Sequence, residues 1–505
     1  MEKRSAASAA RDHWAKRAKI GGSEAKTGIL DTEKEQIESV EKKTGGSKTS
    51  PFRLLYCPSN TSKDGNNDTV RLGDLLGDPE MIETYQFNFS VDIQLVLDYL
   101  HPNFITNLRP LTFITGSNIL DPATKKMYPF LSEVVARLPD RYGSHHTKMM
   151  INFFHDSMEV IVMTANFTKM DFGGYTQMCW RSQRLPKGSS THKKGLQFQK
   201  DLGDYLLKYK DTKLTSLSGR LKTYNFDTID VDLVTSAPGQ YSLDDLKDDS
   251  EIYGYGKLYQ VLKRTKNLST TKHHNILAQV SSIASPLSST KTQVSSIFTH
   301  LLCPVIAGDL KVLPPGEQST KSHQQLFNYK PHIIYPSIQD MINNDLGFRS
   351  SEMLHYNYTT TADGQNQYKL LKPYFHRWNN GQDISGRETT LPHVKMFMCD
   401  NGDDWKSLKW VLLTSHNLSK QAWGYGSGQW RDIHYYKVAS YEVGVLISGD
   451  LTPVYKSDGS EGNVRLPFAL PPTKYHKLEQ PFSILKNYGD LKDRFGQTWH
   501  GLDEI

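Results

Sequence analysis

"RYGSHHTKMMINFF", residues 141–154, sets two adjacent histidines just ahead of a lysine and an apolar run. "LPHVKMFMCD", residues 391–400, repeats the arrangement in the second half of the chain. The triplet His-x-Lys occurs three times: His146-Thr147-Lys148, His192-Lys193-Lys194 and His393-Val394-Lys395. With 18 histidines in the chain such triplets arise by chance, so the surroundings must separate them. Two apolar runs and "TANFT" follow Lys148, with Asn166 eighteen residues beyond the lysine. "MFMCD" and "LKWVLLTSHNLS" follow Lys395, with Asn417 twenty-two beyond. The four extra residues fall where "HDS" in the first half becomes "NGDDWKS" in the second. That is a turn, where insertions are tolerated. His192 leads into a helix pattern with no matching Asn and reads as a surface charge cluster. The chain therefore carries an internal repeat of His-x-Lys, strand, turn, strand, Asn. A duplicated fold whose His and Lys merely face solvent is the plain alternative. Against it, apolar positions have drifted while His, Lys and Asn recur in register.

A chain of 505 residues exceeds one hydrophobic core and predicts two or three domains. Its 37% apolar and 11% aromatic residues are enough to build those cores, which argues against wholesale disorder. The formal charge of +6 is compatible with an anionic partner such as nucleic acid without demanding one. No apolar run approaches the roughly 18–20 residues of a membrane span, and "MEKRSAASAARDHW" lacks the apolar stretch of a secretion signal. Cys57, Cys179, Cys303 and Cys399 lie far apart and form no Cys-x-x-Cys, which argues against a structural zinc site or disulfide framework. An intracellular, soluble protein is expected.

Residues 1–48 have the composition of a disordered basic tail, with six basic and two acidic side chains among the first twenty. It is either a solvated tail or a nuclear-import or DNA-tethering arm. Folded character starts near Pro51. "SVDIQLVLDYL" (90–100) predicts a short amphipathic helix capped by Ser90, and 195–210 a packed helix. "KMMINFF" and "MEVIVMTAN" predict a buried hairpin. "TIDVDLVTSAPGQYSLDD" (228–245) predicts a strand followed by a domain boundary, and the Ser-rich stretch 281–296 a loop inside the second domain.

Twofold His-x-Lys with a following Asn resembles the phospholipase D superfamily. The Asp usual four residues past the lysine is absent: Asn152 stands four past Lys148, and Asp400 five past Lys395. In this the chain is similar to one branch, the tyrosyl-DNA phosphodiesterases. Further hallmarks of that branch are present: "HHTKMM" (145–150), "SSIAS" (281–285), "IYPS" (334–337), "YFHRW" (374–378), "SGRETTLPHVK" (385–395), "TSHNLSKQAWG" (414–424) and "YEVGVL" (441–446). The resemblance covers about residues 51–505 and leaves out the tail. It implies an α/β protein of two similar phospholipase-D-like α-β-α sandwich domains, 49–235 and 236–505, related by pseudo-two-fold symmetry. It also implies a nuclear monomer without cofactor or metal. Its implied task is to hydrolyse the 3′-phosphotyrosyl bond of stalled topoisomerase I–DNA adducts. The partners would be single- or double-stranded DNA with a blocked 3′ end and the topoisomerase peptide remnant.

The residues themselves suit that chemistry. A phosphodiester needs a nucleophile, charge neutralisation and a proton for the leaving group. A neutral imidazole can attack and a protonated one can donate. Lys148, Lys395, Asn166 and Asn417 can hold the non-bridging oxygens. These groups make a metal unnecessary, and no carboxylate cluster of the kind magnesium requires is evident. Side chains alternate along a strand, so of His145 and His146 only His146 shares a face with Lys148.

The resemblance further implies His146 as nucleophile through a phosphohistidine, His393 as general acid and then base, and a 3′-phosphate product. It implies that Glu442 orients His146 and Gln177 orients His393, each from the opposite half. A carboxylate behind one ring and a neutral amide behind the other would make the two histidines differ. The plain reading of Gln177 and Glu442 is polar residues at strand ends. Ser282, Ile283, Ala284, Ser285 and Ser419 match positions that contact DNA, and Tyr142 one that stacks on a base. Two alternatives stay open: another two-motif nuclease or phospholipase, and a non-catalytic DNA-end-binding scaffold. No Gly-x-Ser-x-Gly elbow supports a serine hydrolase.

Overall fold

A computed structural model describes residues 50–243, 247, 249–266, 273–286, 324–325, 328–426, 435–456 and 462–502. The basic tail 1–48, Cys303 and the Ser-rich stretch from 287 onward lie outside the described residues.

The hairpin around the first His-x-Lys is the centre of a mixed sheet. Its strands are β1 (Phe52–Leu54), β2 (Glu83–Phe87), β3 (Leu111–Thr115), β4 (Leu131–Val135), β5 (Met149–Phe153), β6 (Ser157–Met163), β7 (Met178–Arg181) and β8 (Leu185–Pro186). They lie in the order β4-β3-β2-β5-β6-β7-β1, with β8 beside β6. The second half forms β9 (Asp232–Ser236), β10 (Gly239–Ser242), β11 (His274–Gln279), β12 (Ser282–Ala284), β13 (Tyr329–Ile334), β14 (His355–Tyr356) and β15 (Phe375–His376). It continues with β16 (Met396–Asp400), β17 (Leu408–Thr414), β18 (Leu418–Ser419), β19 (Tyr425–Gly426), β20 (Tyr435–Val438) and β21 (Glu442–Leu451). Its main sheet runs β15-β13-β11-β16-β17-β21-β9, and smaller sheets run β14-β12-β18 and β10-β20-β19.

Set side by side, the two main sheets have one topology. Three parallel strands (β4-β3-β2 and β15-β13-β11) adjoin an antiparallel hairpin (β5-β6 and β16-β17). The hairpin then pairs antiparallel with β7 and β1 in one half, β21 and β9 in the other. Duplication is thus a property of the backbone as well as of the motif.

Alternation along β5 and β6 sends side chains to two apolar layers, which is why these strands read as continuous apolar runs. Met149, Ile151, Phe153, Val160 and Val162 pack against Phe198, Leu202, Leu206, Leu214 and Leu217 of the helices Lys193–Leu207 and Thr212–Leu221. Met150, Ile161 and Met163 face Leu72, Leu75, Leu95, Leu97 and Phe104 of three short helices on the other side. The first of these two cores runs on without a break into the second half. Each such side chain contributes roughly 1.5–3 kcal/mol on full burial.

Two local expectations change. The helix of 90–100 covers only Ile93–Tyr99, and its cap is Asp92, whose carboxylate accepts the Leu95 N–H at 3.2 Å. Ser90 instead offers its carbonyl to the Phe167 N–H at 3.0 Å. The boundary at 235/236 falls too late, because Asp232–Ser236 is the edge strand of the second sheet, paired with β21. A strand's pattern reports burial and not which sheet receives it.

Two reciprocal backbone bridges join the halves. The His146 N–H donates to the Tyr441 carbonyl at 2.9 Å, and the Tyr441 N–H to that of Ser144 at 2.9 Å. In the mirror position, the His393 N–H donates to Thr176 at 3.0 Å, and the Thr176 N–H to Leu391 at 2.8 Å. Gly143 stands at the start of the first bridge, where an added Cβ would lie 2.2 Å from the Ala439 carbonyl oxygen. Since that neighbour is backbone, Gly143→Ala is expected to cost about 1–3 kcal/mol by overpacking, read as a lower thermal midpoint.

Candidate active site

Each bridge places one histidine in front of a polar residue from the other half. Tyr441 bonds to the segment carrying His146, so the next residue, Glu442, stands behind that ring, with Nδ1 2.9 Å from Oε2. Thr176 bonds to the segment carrying His393, so Gln177 stands behind it, with Nε2 2.9 Å from Nδ1. A carboxylate accepts only, so His146 Nδ1 carries the proton and Nε2 keeps a lone pair when the ring is neutral. The Ser415 hydroxyl also donates to Glu442 Oε2 and helps hold it.

His393 has a second partner that the sequence reading missed. Asp171 Oδ1 lies 2.8 Å from its Nδ1 and also accepts from Gln177 Nε2 at 2.7 Å. The expectation that a neutral amide alone backs His393 is therefore corrected: a carboxylate touches each histidine. Asp171 was legible only as part of "TKMD" (168–171), the pattern of a helix start in which Thr168 caps the helix Lys169–Gly174. Phe89 was missed too; its ring is 41% exposed and meets His146 edge-on at 5.4 Å, while Lys148 Nζ lies 5.6 Å from it.

Lys148 and Lys395 are fully buried, and each ammonium donates to the carbonyl of the histidine two residues before it. Burial pulls Lys148 down to about 8, with Glu442 and Asp171 opposing. Burial and then the neighbouring Lys148 push Lys395 well below the usual lysine range. Burial followed by the two lysines holds His146 well below the ordinary imidazole value. For His393, burial and Lys395 pull it down to about 3 while Asp171 pushes upward. Burial raises Glu442, opposed by His416 and the lysines. Burial also opposes the Asp171 anion, but His393 and the Asn166 N–H outweigh it and keep Asp171 below the usual carboxylate range. The buried site thus sets two lysines against two acidic side chains, with both rings biased to neutrality.

The two asparagines are used differently. Asn417 Oδ1 accepts the N–H groups of Ser281 at 3.1 Å and Ser282 at 2.9 Å, which directs its amide nitrogen elsewhere. Asn166 turns its amide nitrogen to Asp171, 3.3 Å from Oδ2, and its Oδ1 has no hydrogen-bond partner among the described residues. In this arrangement the Asn166 amide nitrogen is engaged with Asp171, whereas that of Asn417 is directed away from Ser281 and Ser282.

His145 is buried with both ring nitrogens engaged, Nδ1 to the Asn88 carbonyl at 3.0 Å and Nε2 to the Tyr209 hydroxyl at 2.9 Å. Burial lowers it to about 3. Among the expected DNA contacts, Ser282, Ala284, Ser285 and Ser419 are half-buried, and Tyr142 is 42% exposed. Strand β12 lies parallel to β18, with Ala284 opposite Ser419, so these hydroxyl-bearing segments adjoin. Ile283 is corrected: its side chain belongs to the core and cannot reach a ligand.

Among the described residues, His274, Cys399 and Asp400 form one group of potential metal ligands. Its carboxylate already accepts from the Asn275 N–H and amide and from the Gly402 and Trp405 N–H groups, so this is a hydrogen-bonded turn. No helix among the described residues is long and apolar enough to cross a membrane.

A family model described as tyrosyl-DNA phosphodiesterase matches residues 51–476. Tyrosyl-DNA phosphodiesterase 1 of Saccharomyces cerevisiae is 26% identical over 475 residues, 84% of this chain and 82% of that one. The Drosophila melanogaster protein of the same name is 26% identical over 460 residues, 86% of this chain and 74% of that one. The crystal structure of the yeast tyrosyl-DNA phosphodiesterase is similar with a TM-score of 0.68 at 24% identity, covering 86% of this chain and 99% of that chain. At that identity the likeness speaks to the fold.

Lys148 carries its charge below about pH 8 and loses it above. Affinity for an oligonucleotide bearing a 3′-phosphodiester is therefore expected to fall as the pH rises through that value, measured as Kd across pH 6.5–9.5 (roughly 1.5 units either side).

Proposed function

The chain belongs to the tyrosyl-DNA phosphodiesterase family and is a DNA-repair phosphodiesterase, and we propose that the paired His-x-Lys cleft is where it cleaves. The substrate is a 3′-phosphotyrosyl bond joining DNA to a topoisomerase I remnant. His146 Nε2 attacks phosphorus while the P–O bond to tyrosine breaks, and His393 Nε2 gives its proton to the departing phenol. Water then attacks the phosphohistidine, passing a proton to His393, and a DNA 3′-phosphate leaves.

The observation that carries this reading is the crosswise contact of Glu442 with His146 and Gln177 with His393, which aims both Nε2 atoms away from their supports. In the unliganded site burial and two lysines keep His393 neutral. A bound phosphodiester brings negative charge against those lysines, which favours a proton on His393. The lysines and the Asn417 amide suit the non-bridging oxygens, without a metal. The hydroxyls of Ser282, Ser285 and Ser419 suit the phosphates of the DNA strand, and the exposed Tyr142 ring suits its bases. We place the enzyme in the nucleus as a monomer, with the basic residues of the tail serving import or tethering to DNA.

His146→Ala is expected to abolish cleavage of a 3′-tyrosyl oligonucleotide, and full activity would remove the nucleophile assignment. His393→Asn is expected to accumulate a covalent protein–DNA adduct, seen as a shifted band; turnover without adduct speaks against two steps. Activity is expected to persist in excess EDTA, and a strict magnesium requirement would reject the site as drawn.

A further inference from the structure

The duplicated backbone allows the halves to be compared residue by residue around the histidines. Thr168 and Ser419 each begin a short helix, and each hydroxyl accepts the N–H of the residue three places on, Asp171 at 3.1 Å and Ala422 at 3.2 Å. Asp171 and Ala422 therefore occupy equivalent positions, as do Gln177 and Glu442. The second half has its carboxylate on the strand and a methyl group on the helix. The first half has an amide on the strand and its carboxylate on the helix.

Capping does not explain Asp171, because the equivalent helix is capped with Ala422 in that place. The carboxylate is fully buried and collects donors on both oxygens. Oδ1 faces His393 Nδ1 at 2.8 Å, Gln177 Nε2 at 2.7 Å and the Asn166 N–H at 2.9 Å. Oδ2 accepts the Thr168 hydroxyl at 2.7 Å. The Gln177 amide, whose oxygen accepts from Thr164 at 2.7 Å, turns its nitrogen toward Asp171 and so braces the carboxylate against the ring.

We propose that Asp171 is a positioning residue for the acid step, fixing the Nδ1–H tautomer of His393 and supplying the counter-charge of its imidazolium. This rests on the role given to His393 above. Lys395 and Lys148 act against a proton on that ring, and Asp171 acts for one. The Tyr175 ring packs 6.1 Å away and stays neutral, its phenol pushed up by burial. When the P–O bond to tyrosine breaks, its electron pair leaves on the phenol oxygen, which takes the Nε2 proton. His393 is then neutral, with Nδ1–H still on Asp171 and Nε2 ready for the proton of the attacking water. Asp171 stays ionised throughout.

The test uses the full chain and two oligonucleotides, one ending in a 3′-phosphotyrosine and one in a 3′-(4-nitrophenyl) phosphate, whose leaving group departs without a proton. In single turnovers Asp171→Asn is expected to lose about 100-fold on the tyrosyl end and less than about fivefold on the nitrophenyl end. The alkaline limb of its tyrosyl rate profile should move down by about 1 pH unit or more. Asp171→Asn/Gln177→Glu, which returns the charge from the strand, should recover at least about tenfold on the tyrosyl end. Equal losses on both ends with an unmoved limb would reduce Asp171 to a helix cap and overturn the inference. If the single variant does not fold, a folded double variant that stays selectively poor on the tyrosyl end overturns it as well. Failure of the unaltered protein to cleave the tyrosyl end would instead defeat the proposed function, so the two failures are distinct.

Discussion

Four backbone hydrogen bonds between the halves set the geometry of the site. Ser144 and His146 pair with Tyr441, and Leu391 and His393 pair with Thr176. Because side chains alternate along an extended chain, fixing residue 441 opposite 145 puts residue 442 behind residue 146. The same relation puts 177 behind 393. Neither half could orient its own histidine this way, so docking of the halves and assembly of the site are one event. The charges obey the same logic. Two lysines without solvent exposure would be prohibitive alone, and Glu442 and Asp171, one from each half, offset them.

A symmetric pair of identical subunits would give both histidines the same support. Linking the two copies in one chain frees the positions to diverge, as Gln177 against Glu442 and Asp171 against Ala422 show. The proposed chemistry needs that freedom, because one ring must attack while its counterpart handles a proton.

The repeat was legible because His, Lys and Asn are chemically irreplaceable while the strands between them need only be apolar. The hairpins of β5-β6 and β16-β17 followed from continuous apolar runs. Asp171 was hidden by the same comparison that exposed the rest, since its counterpart is an alanine and repeats draw the eye to what recurs. The cap of Ile93–Tyr99 was misplaced because Ser90 and Asp92 both suit a helix start, and the choice depends on the bond between Ser90 and Phe167. Asn166 looked identical to Asn417, yet the carboxylate five residues on redirects its amide. Ile283 matched a ligand-contact stretch, but alternation along β12 turns its side chain inward. Local pattern identifies an element; its neighbours in space decide what each side chain does.

Glu442 lies near the far end of the folded chain, beyond the whole first half and most of the second. During synthesis, then, His146 emerges long before the group that gives it its orientation. A ribosome-bound fragment carries an imidazole without its carboxylate. Until the last strands of the second sheet are in place, that imidazole lacks the contact that fixes its tautomer.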